Sequence, residues 1–162
     1  MQIYLLRHGI AEDGRPGQHD AERGLTPEGV KKLRAILQRA RDGGVEPSLV
    51  LTSPYRRAVQ SAELAARALG YKGELLRTKA LQPDASVRDA WEEIRLHRDA
   101  AQLLLAGHEP LFSALTAHLL GCPSLIVDFK KGAIVRVDMD SLGPHPRGVL
   151  RWLLAPKLAR AD

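Results

Sequence analysis

The sequence predicts an α/β fold, a three-layer αβα sandwich around a mostly parallel central sheet. Three observations carry that expectation. Short apolar runs alternate with longer amphipathic stretches through the first 120 residues, the order expected of a parallel sheet covered by helices on both faces. Glycines and a proline punctuate those stretches where helices start and stop. The composition, 44% apolar and 27% charged over 162 residues, suits one globular domain, 1–162, with a core of its own.

The elements follow in order. Gln2 to Leu6 is a short apolar run and reads as a buried strand. Residues 10–24 hold Gly14, Pro16, Gly17 and Gly24 among charges, so a loop is expected. Thr26 can cap a helix whose first position suits Pro27, with Leu33, Ile36 and Leu37 on its apolar stripe. Gly43-Gly44 ends it. Ser48 to Thr52 reads as a second strand, Ala58 to Leu69 as an alanine-rich helix ended by Gly70, and Glu74 to Thr78 as an edge strand. Val87 to His97 is a helix, Gln102 to Ala106 a strand, and Pro110 to Leu120 a helix ended by Gly121. Ala133 to Met139 and Val149 to Leu154 close the chain as strands, arranged as a hairpin.

Composition narrows the function. The net charge of +5, from 24 Lys+Arg against 19 Asp+Glu, favours anionic partners. Nucleic acid fits poorly: the basic residues are scattered and aromatics make up only 4%, too few for base stacking. No apolar run reaches the roughly 18 residues of a membrane span. The short apolar start lacks the basic lead of a secretory signal. Cys122 stands alone and can form no internal disulfide, so a reducing cytoplasm is the expected location.

In sheets of this kind, ligands bind beyond the carboxyl ends of the strands. Three predicted strand ends carry polar groups: Arg7-His8-Gly9, Thr52-Ser53-Pro54 leading to Arg56 and Arg57, and Gly107-His108-Glu109-Pro110. Arginines grip phosphate oxygens in pairs and stay charged. A neutral histidine is a nucleophile. Phosphoryl transfer needs both. Gly9 is expected to let the phosphate approach the backbone, and a helix beginning near Tyr55 can add its N-terminal amides.

The pattern resembles the histidine phosphatase superfamily, with its phosphoglycerate mutase-like fold. Leu6-Arg7-His8-Gly9 is similar to the family's first signature, Ser53-Pro54-Tyr55-Arg56-Arg57-Ala58-Val59-Gln60-Ser61 to its second, and Gly107-His108 to its third. A short bacterial branch, the SixA-type phosphohistidine phosphatases, is similar nearly end to end. That likeness includes Arg23-Gly24-Leu25-Thr26-Pro27-Glu28-Gly29 and Trp152-Leu153-Leu154-Ala155-Pro156. The resemblance implies that His8 is phosphorylated and that Arg7, Arg57 and His108 hold the phosphoryl group. Arg57 fits the family position because Ala58 follows it, and Arg56 reads as a solvated helix charge. Arg23 precedes a helix cap and has a local role by default. The resemblance adds a phosphate or substrate contact for it.

The remaining histidines read as bland: His97 solvent-facing, His118 at a core boundary, His19 and His145 in loops. No metal-ligand spacing or nucleotide loop occurs, so no cofactor is expected. A cysteine phosphatase needs an arginine six residues after its nucleophile, where Asp128 stands. Asp138-Met139-Asp140 comes too late in the chain for an aspartate phosphatase.

The expected reaction runs through a phosphohistidine at His8, then water. Expelling an alkoxide needs a general acid, and the sequence offers only Asp84, with Glu92 and Glu93 behind it. A protonated phosphoimidazole leaves without such help. The segment from Gly70 to the helix around Glu93 is too short for a metabolite-enclosing lid. Both points favour phosphohistidine on a protein, which the resemblance implies to be of phosphorelay or phosphotransferase type. Inorganic phosphate is then the product. The alternatives are a general phosphomonoesterase on the same fold and a non-catalytic phosphoprotein-binding module.

Overall fold

The computed structural model describes residues 1–159. Its elements run β1 (Gln2–Arg7), α1 (Pro27–Asp42), β2 (Leu49–Thr52), α2 (Arg56–Leu69), β3 (Leu75–Arg77), α3 (Val87–Leu96), β4 (Gln102–Gly107), α4 (Leu111–Leu119), β5 (Ile134–Asp138) and β6 (Val149–Leu154). Single 3-10 turns lie at Asp20–Glu22, Lys79–Leu81 and Pro156–Leu158. The expected helices and strands are all present, with ends moved by a residue or two.

The helix boundaries have local causes. Thr26 Oγ1 accepts the Gly29 amide at 3.0 Å and Pro27 takes the first helical position. Gly70 ends α2 in the left-handed region, at φ 76°, where a side chain is strained. Ser86 Oγ accepts from the Asp89 amide to start α3.

The six strands form one sheet in the order β3-β2-β4-β1-β5-β6. β3, β2, β4 and β1 run parallel to one another, β5 pairs antiparallel with β1, and β6 pairs antiparallel with β5 as a hairpin. Alternate residues of each central strand face opposite layers. Ile3, Leu5, Leu51, Leu103 and Leu105 pack with Trp91, Ile94, Phe112 and Leu115 of α3 and α4. Tyr4, Leu6, Val50, Leu104 and Ala106 pack with Leu33, Ile36, Leu37, Ala62 and Ala65 of α1 and α2. Burying each such large side chain contributes about 1.5–3 kcal/mol. The sheet is thereby held between two helical layers, and its register is fixed on both faces. No described helix is long and apolar enough to cross a membrane.

Candidate active site

Three parallel strands bring their carboxyl ends together because β1, β4 and β2 are neighbours. Arg7 pairs with Gly107 and Thr52 with Ala106 in the ladder. One further bond extends each pair: the His8 amide donates to Gly107 O and the Ser53 amide to Ala106 O, both at 2.9 Å. His8 and His108 therefore leave adjacent strands side by side, their ring centroids 5.0 Å apart. The turn after β2 starts α2, whose second residue, Arg57, points back over the strand ends. Arg57 Nε lies 3.3 Å from His8 Nε2.

All three side chains are buried, with 6% of His8, 4% of Arg57 and 1% of His108 exposed. Burial sets the protonation states. Desolvation, with the charges of Arg57, Arg7 and Lys131 added, outweighs the Gly9 hydrogen bond and lowers the His8 pKa from 6.5 to about 4. Desolvation does the same at His108, helped by His8, Arg57 and Arg7 and opposed by Asp20, and lowers it to about 3. Both imidazoles are neutral at neutral pH.

Hydrogen bonds then fix where the protons sit. His8 Nδ1 lies 2.7 Å from Gly9 O, which only accepts, so Nδ1 carries the proton. Nε2 keeps its lone pair, toward which Arg57 Nε–H points. His108 Nε2 lies 2.8 Å from Ser53 Oγ, and that hydroxyl already accepts the Tyr55 amide at 3.3 Å. His108 Nδ1 is buried and without a partner. Tyr55 packs edge-on against His108 and lies under the Arg57 guanidinium, 5.0 Å from centroid to Cζ.

Arg7 is half-buried. Its Nη1 donates to Phe129 O at 2.5 Å, while Nε is buried and unpartnered. Burial lowers its pKa most, opposed by Glu109 and Asp128, yet a guanidinium stays charged at neutral pH. Lys131 is exposed on the loop before β5 and adds its field at His8.

Other sequence expectations land differently. The space that Gly9 leaves is used by α1. A Cβ there would lie 2.7 Å from Leu33 Cδ1 and 3.2 Å from Gly29 O. The Gly9 amide is already taken by Ser61 Oγ at 3.2 Å. Gly29 repeats the close approach from the helix side, since its Cβ would meet Ile10 O. Arg23 is engaged locally: Nε donates to Asp20 Oδ1 at 2.8 Å and Nη1 to Glu12 O at 2.9 Å. Arg56 is exposed and reaches Glu22 O at 3.5 Å.

Asp84 is exposed and shares no hydrogen bond or ion pair with the four clustered residues. Glu93 is committed to Thr78 Oγ1 at 2.9 Å and to His97 Nε2 at 3.1 Å, so His97 is half-buried in that pair and not simply solvent-facing. Glu92 pairs with Arg95. His118 sits at a boundary as expected, edge-on to Trp91 with centroids 5.5 Å apart.

The loop over residues 10–24 supplies a group that sequence reading passed over. Its 3-10 turn places Asp20 against Arg57, with Nη2 to Oδ2 at 2.9 Å and Nη1 to the backbone carbonyl at 2.8 Å. Spacing alone gives no sign of it. Ser53 and Ser61, which orient His108 and Gly9, were visible as part of the second motif, but their roles depend on tertiary placement.

The arrangement joins a neutral imidazole with an unprotonated Nε2 to two arginines and a second imidazole, in a largely buried site. Such a set stabilises charge on a transferring anion. Comparison with known proteins agrees. Residues 3–83 match the histidine phosphatase superfamily (branch 1). The phosphohistidine phosphatase SixA of Escherichia coli K12 is 29% identical over 167 residues, covering 99% of each chain. An uncharacterized protein of Picosynechococcus sp. PCC 7002 is 32% identical over 161 residues, covering 97% of this chain and 98% of the other. A solved structure of the protein histidine phosphatase SixA with tungstate superposes with a TM-score of 0.88 at 28% identity, covering 99% of this chain and all of that one. By these matches, and by the fold beneath them, the chain belongs to the histidine phosphatase superfamily, branch 1.

Proposed function

We propose that this protein is a phosphatase that takes a phosphoryl group from phosphohistidine on another protein, holds it on His8 Nε2, and passes it to water. The observation that carries this reading is the bond from His8 Nδ1 to Gly9 O, which leaves the Nε2 lone pair beside the Arg57 Nε–H.

In the first step the Nε2 lone pair forms a bond to phosphorus. The bond from phosphorus to the substrate's imidazole breaks, and its electron pair returns to that ring. A substrate ring that enters protonated leaves neutral, so no general acid is required. In the second step water attacks phosphorus, the P–N bond to His8 breaks, and both water protons leave with the phosphate as dihydrogen phosphate. Arg7, Arg57 and His108 offset the charge on the phosphoryl oxygens in both steps. Arginines and an imidazole supply that charge, so the mechanism calls on no metal or nucleotide. In the relative's structure tungstate, an oxyanion, is the bound group.

Two features support a protein-borne phosphohistidine as the donor. Glu93 is held by Thr78 and His97 and Glu92 by Arg95, and Asp84 is exposed and bonded to none of the clustered residues. Between α2 and α3 the chain builds only β3 and a 3-10 turn, which leaves no lid to enclose a metabolite.

The test is a substrate panel without added metal: phosphohistidine protein, free phosphohistidine and phosphoramidate against phosphoserine and sugar-phosphate esters. Release of phosphate is expected from the N-phosphoryl compounds first. Faster turnover of an ester assigns the protein to general phosphomonoester hydrolysis. Binding of phosphohistidine protein with no release of phosphate assigns it to phosphoprotein recognition.

A further inference from the structure

Arg57 presents two edges. The inner edge, Nε and one hydrogen of Nη2, faces His8, with Nε 3.3 Å from Nε2. The outer edge, Nη1 and the other hydrogen of Nη2, is gripped by a single residue. Asp20 accepts from Nη1 through its backbone carbonyl at 2.8 Å and from Nη2 through Oδ2 at 2.9 Å. We propose that Asp20 is a positioning residue for phosphoryl transfer: it holds the outer edge of Arg57 so that the inner edge is aimed at the phosphoryl group as it meets His8 Nε2.

Three observations carry this. The first is the fork itself, two acceptors from one residue matched to two parallel donors, which fixes the plane of the guanidinium as well as its place. The second is that Asp20 is itself braced. Its Oδ1 accepts from Arg23 Nε at 2.8 Å, with Nη2 at 2.5 Å, and Arg23 is tied in turn to Glu12 O. A continuous series of contacts therefore runs from the loop backbone through Arg23, Asp20 and Arg57 to His8. The third is that Asp20 does not act as an acid. Partial burial alone would raise its pKa, but the hydrogen bonds and charges of Arg23 and Arg57 outweigh that and hold it below the usual range. A carboxylate kept ionised by two arginines has no proton to give a leaving group.

This assignment also gives Arg23 its place. It reaches the site through Asp20, as a brace, and touches no reacting atom. The cost of loosening such a support is large in proportion to the displacement, since a misplacement of about 1 Å costs on the order of 100-fold in rate.

The kinetic part of the test rests on the phosphatase reading. Asp20→Ala is expected to lower kcat for phosphoramidate by about 10- to 100-fold. Asp20→Asn, which keeps a side-chain oxygen for Nη2, is expected to stay within about threefold of wild type. In an Arg57→Lys background, where no fork exists to hold, Asp20→Ala is expected to cost less than about twofold. An equal loss in both backgrounds means that Asp20 only supports the loop, and it overturns the proposal. So does full activity of Asp20→Ala.

The second readout needs no turnover. The Arg57 Nε–H signal in nitrogen-15 spectra is expected to be protected from exchange in wild type and Asp20→Asn and to be lost in Asp20→Ala. Its persistence in Asp20→Ala overturns the positioning role even if the protein hydrolyses nothing. Absence of turnover by wild type with the expected spectra defeats the phosphatase reading and leaves this one standing.

Discussion

Two arginine–aspartate pairs sit at opposite sides of the sheet, and they differ in almost everything but chemistry. Arg57 and Asp20 meet at 2.9 Å beyond the parallel strands, with the Arg57 side chain 5% exposed and its Nε aimed at a buried imidazole. Arg136 and Asp138 meet at 2.8 Å on the hairpin, with side chains 19% and 29% exposed, and Arg151 joins at 3.6 Å. The parallel half directs three neighbouring strand ends to one edge, so polar groups that follow them converge. In the antiparallel hairpin neighbouring strands end at opposite edges, and its charges stay on the sheet face. The burial of Arg57, and not that of its partner Asp20, which is 54% exposed, strengthens the cation's field at His8, while the hairpin pair faces no such target. Topology, more than residue type, decides which pair stands beside His8.

The largest test of that contrast is His8→Ala. It removes the imidazole proposed as the phosphoryl acceptor and is expected to abolish acid-labile labelling from a phosphoryl donor and to lower kcat by at least about 10⁴-fold. Retention of that label places the acceptor elsewhere and undoes the assignment.

Next comes pH. His8 must be neutral to attack, and its pKa lies near 4 against 6.5 for a free imidazole. The kcat/KM profile is expected to stay level from neutrality to about pH 5 and then to fall. Stability has the same sign. Between 6.5 and the lowered values of His8 and His108 the unfolded chain binds protons that the folded chain refuses. Stability is therefore complete above pH 6.5 and is lost as pH falls toward 4. Thermal melting from pH 7 to 4 checks this, and a shallower slope in His8→Ala ties it to the cluster. A kcat/KM that already halves near pH 6.5 contradicts the burial argument.

Gly9→Ala probes the packing under the cluster. The added methyl meets Leu33 Cδ1 at 2.7 Å and lies 3.2 Å from Gly29 O. Overpacking of this kind costs about 1–3 kcal/mol. Denaturant unfolding is expected to show that loss, and pairing with Leu33→Ala should recover part of it. A neutral Gly9→Ala would mean that α1 yields easily.

Much of this was legible beforehand. The short apolar runs of β1 and β4, the Thr26-Pro27 start and the glycine stops named the elements, because local chemistry sets them. The grouping of His8, Arg57 and His108 was legible because both histidines follow apolar runs that end at one edge of the sheet, and because Arg57 matches the family's second motif. Gly9 has a second role that the sequence does not show: its neighbour across space is Leu33 of α1, and no local pattern reveals a helix–backbone approach. Asp20 was passed over for a related reason. It lies in a stretch with no periodicity, and its importance comes from a contact 37 residues away in sequence. The His97–Glu93 pair was a missed helix spacing, four residues apart, that sequence alone contains.

The smallest effect is expected on the other side of the comparison. Asp138→Asn keeps the shape of the hairpin pair and removes its charge. Arg136 retains an acceptor, and its cation stays near the Tyr4 ring, 6.0 Å from Cζ to centroid. Stability should change by less than about 1 kcal/mol, as for other partly exposed pairs, and turnover of phosphoramidate should stay within about twofold. Asp20→Asn makes the same chemical change beside Arg57, so salt separates the two. Added salt should blunt the hairpin effect, since ions reach Arg136 and Arg151, and should leave the buried Arg57–His8 contact intact. A larger loss of turnover from Asp138→Asn than from Asp20→Ala would show that the hairpin reaches the chemistry after all, and that the division between the two halves of the sheet is not where the strands reverse.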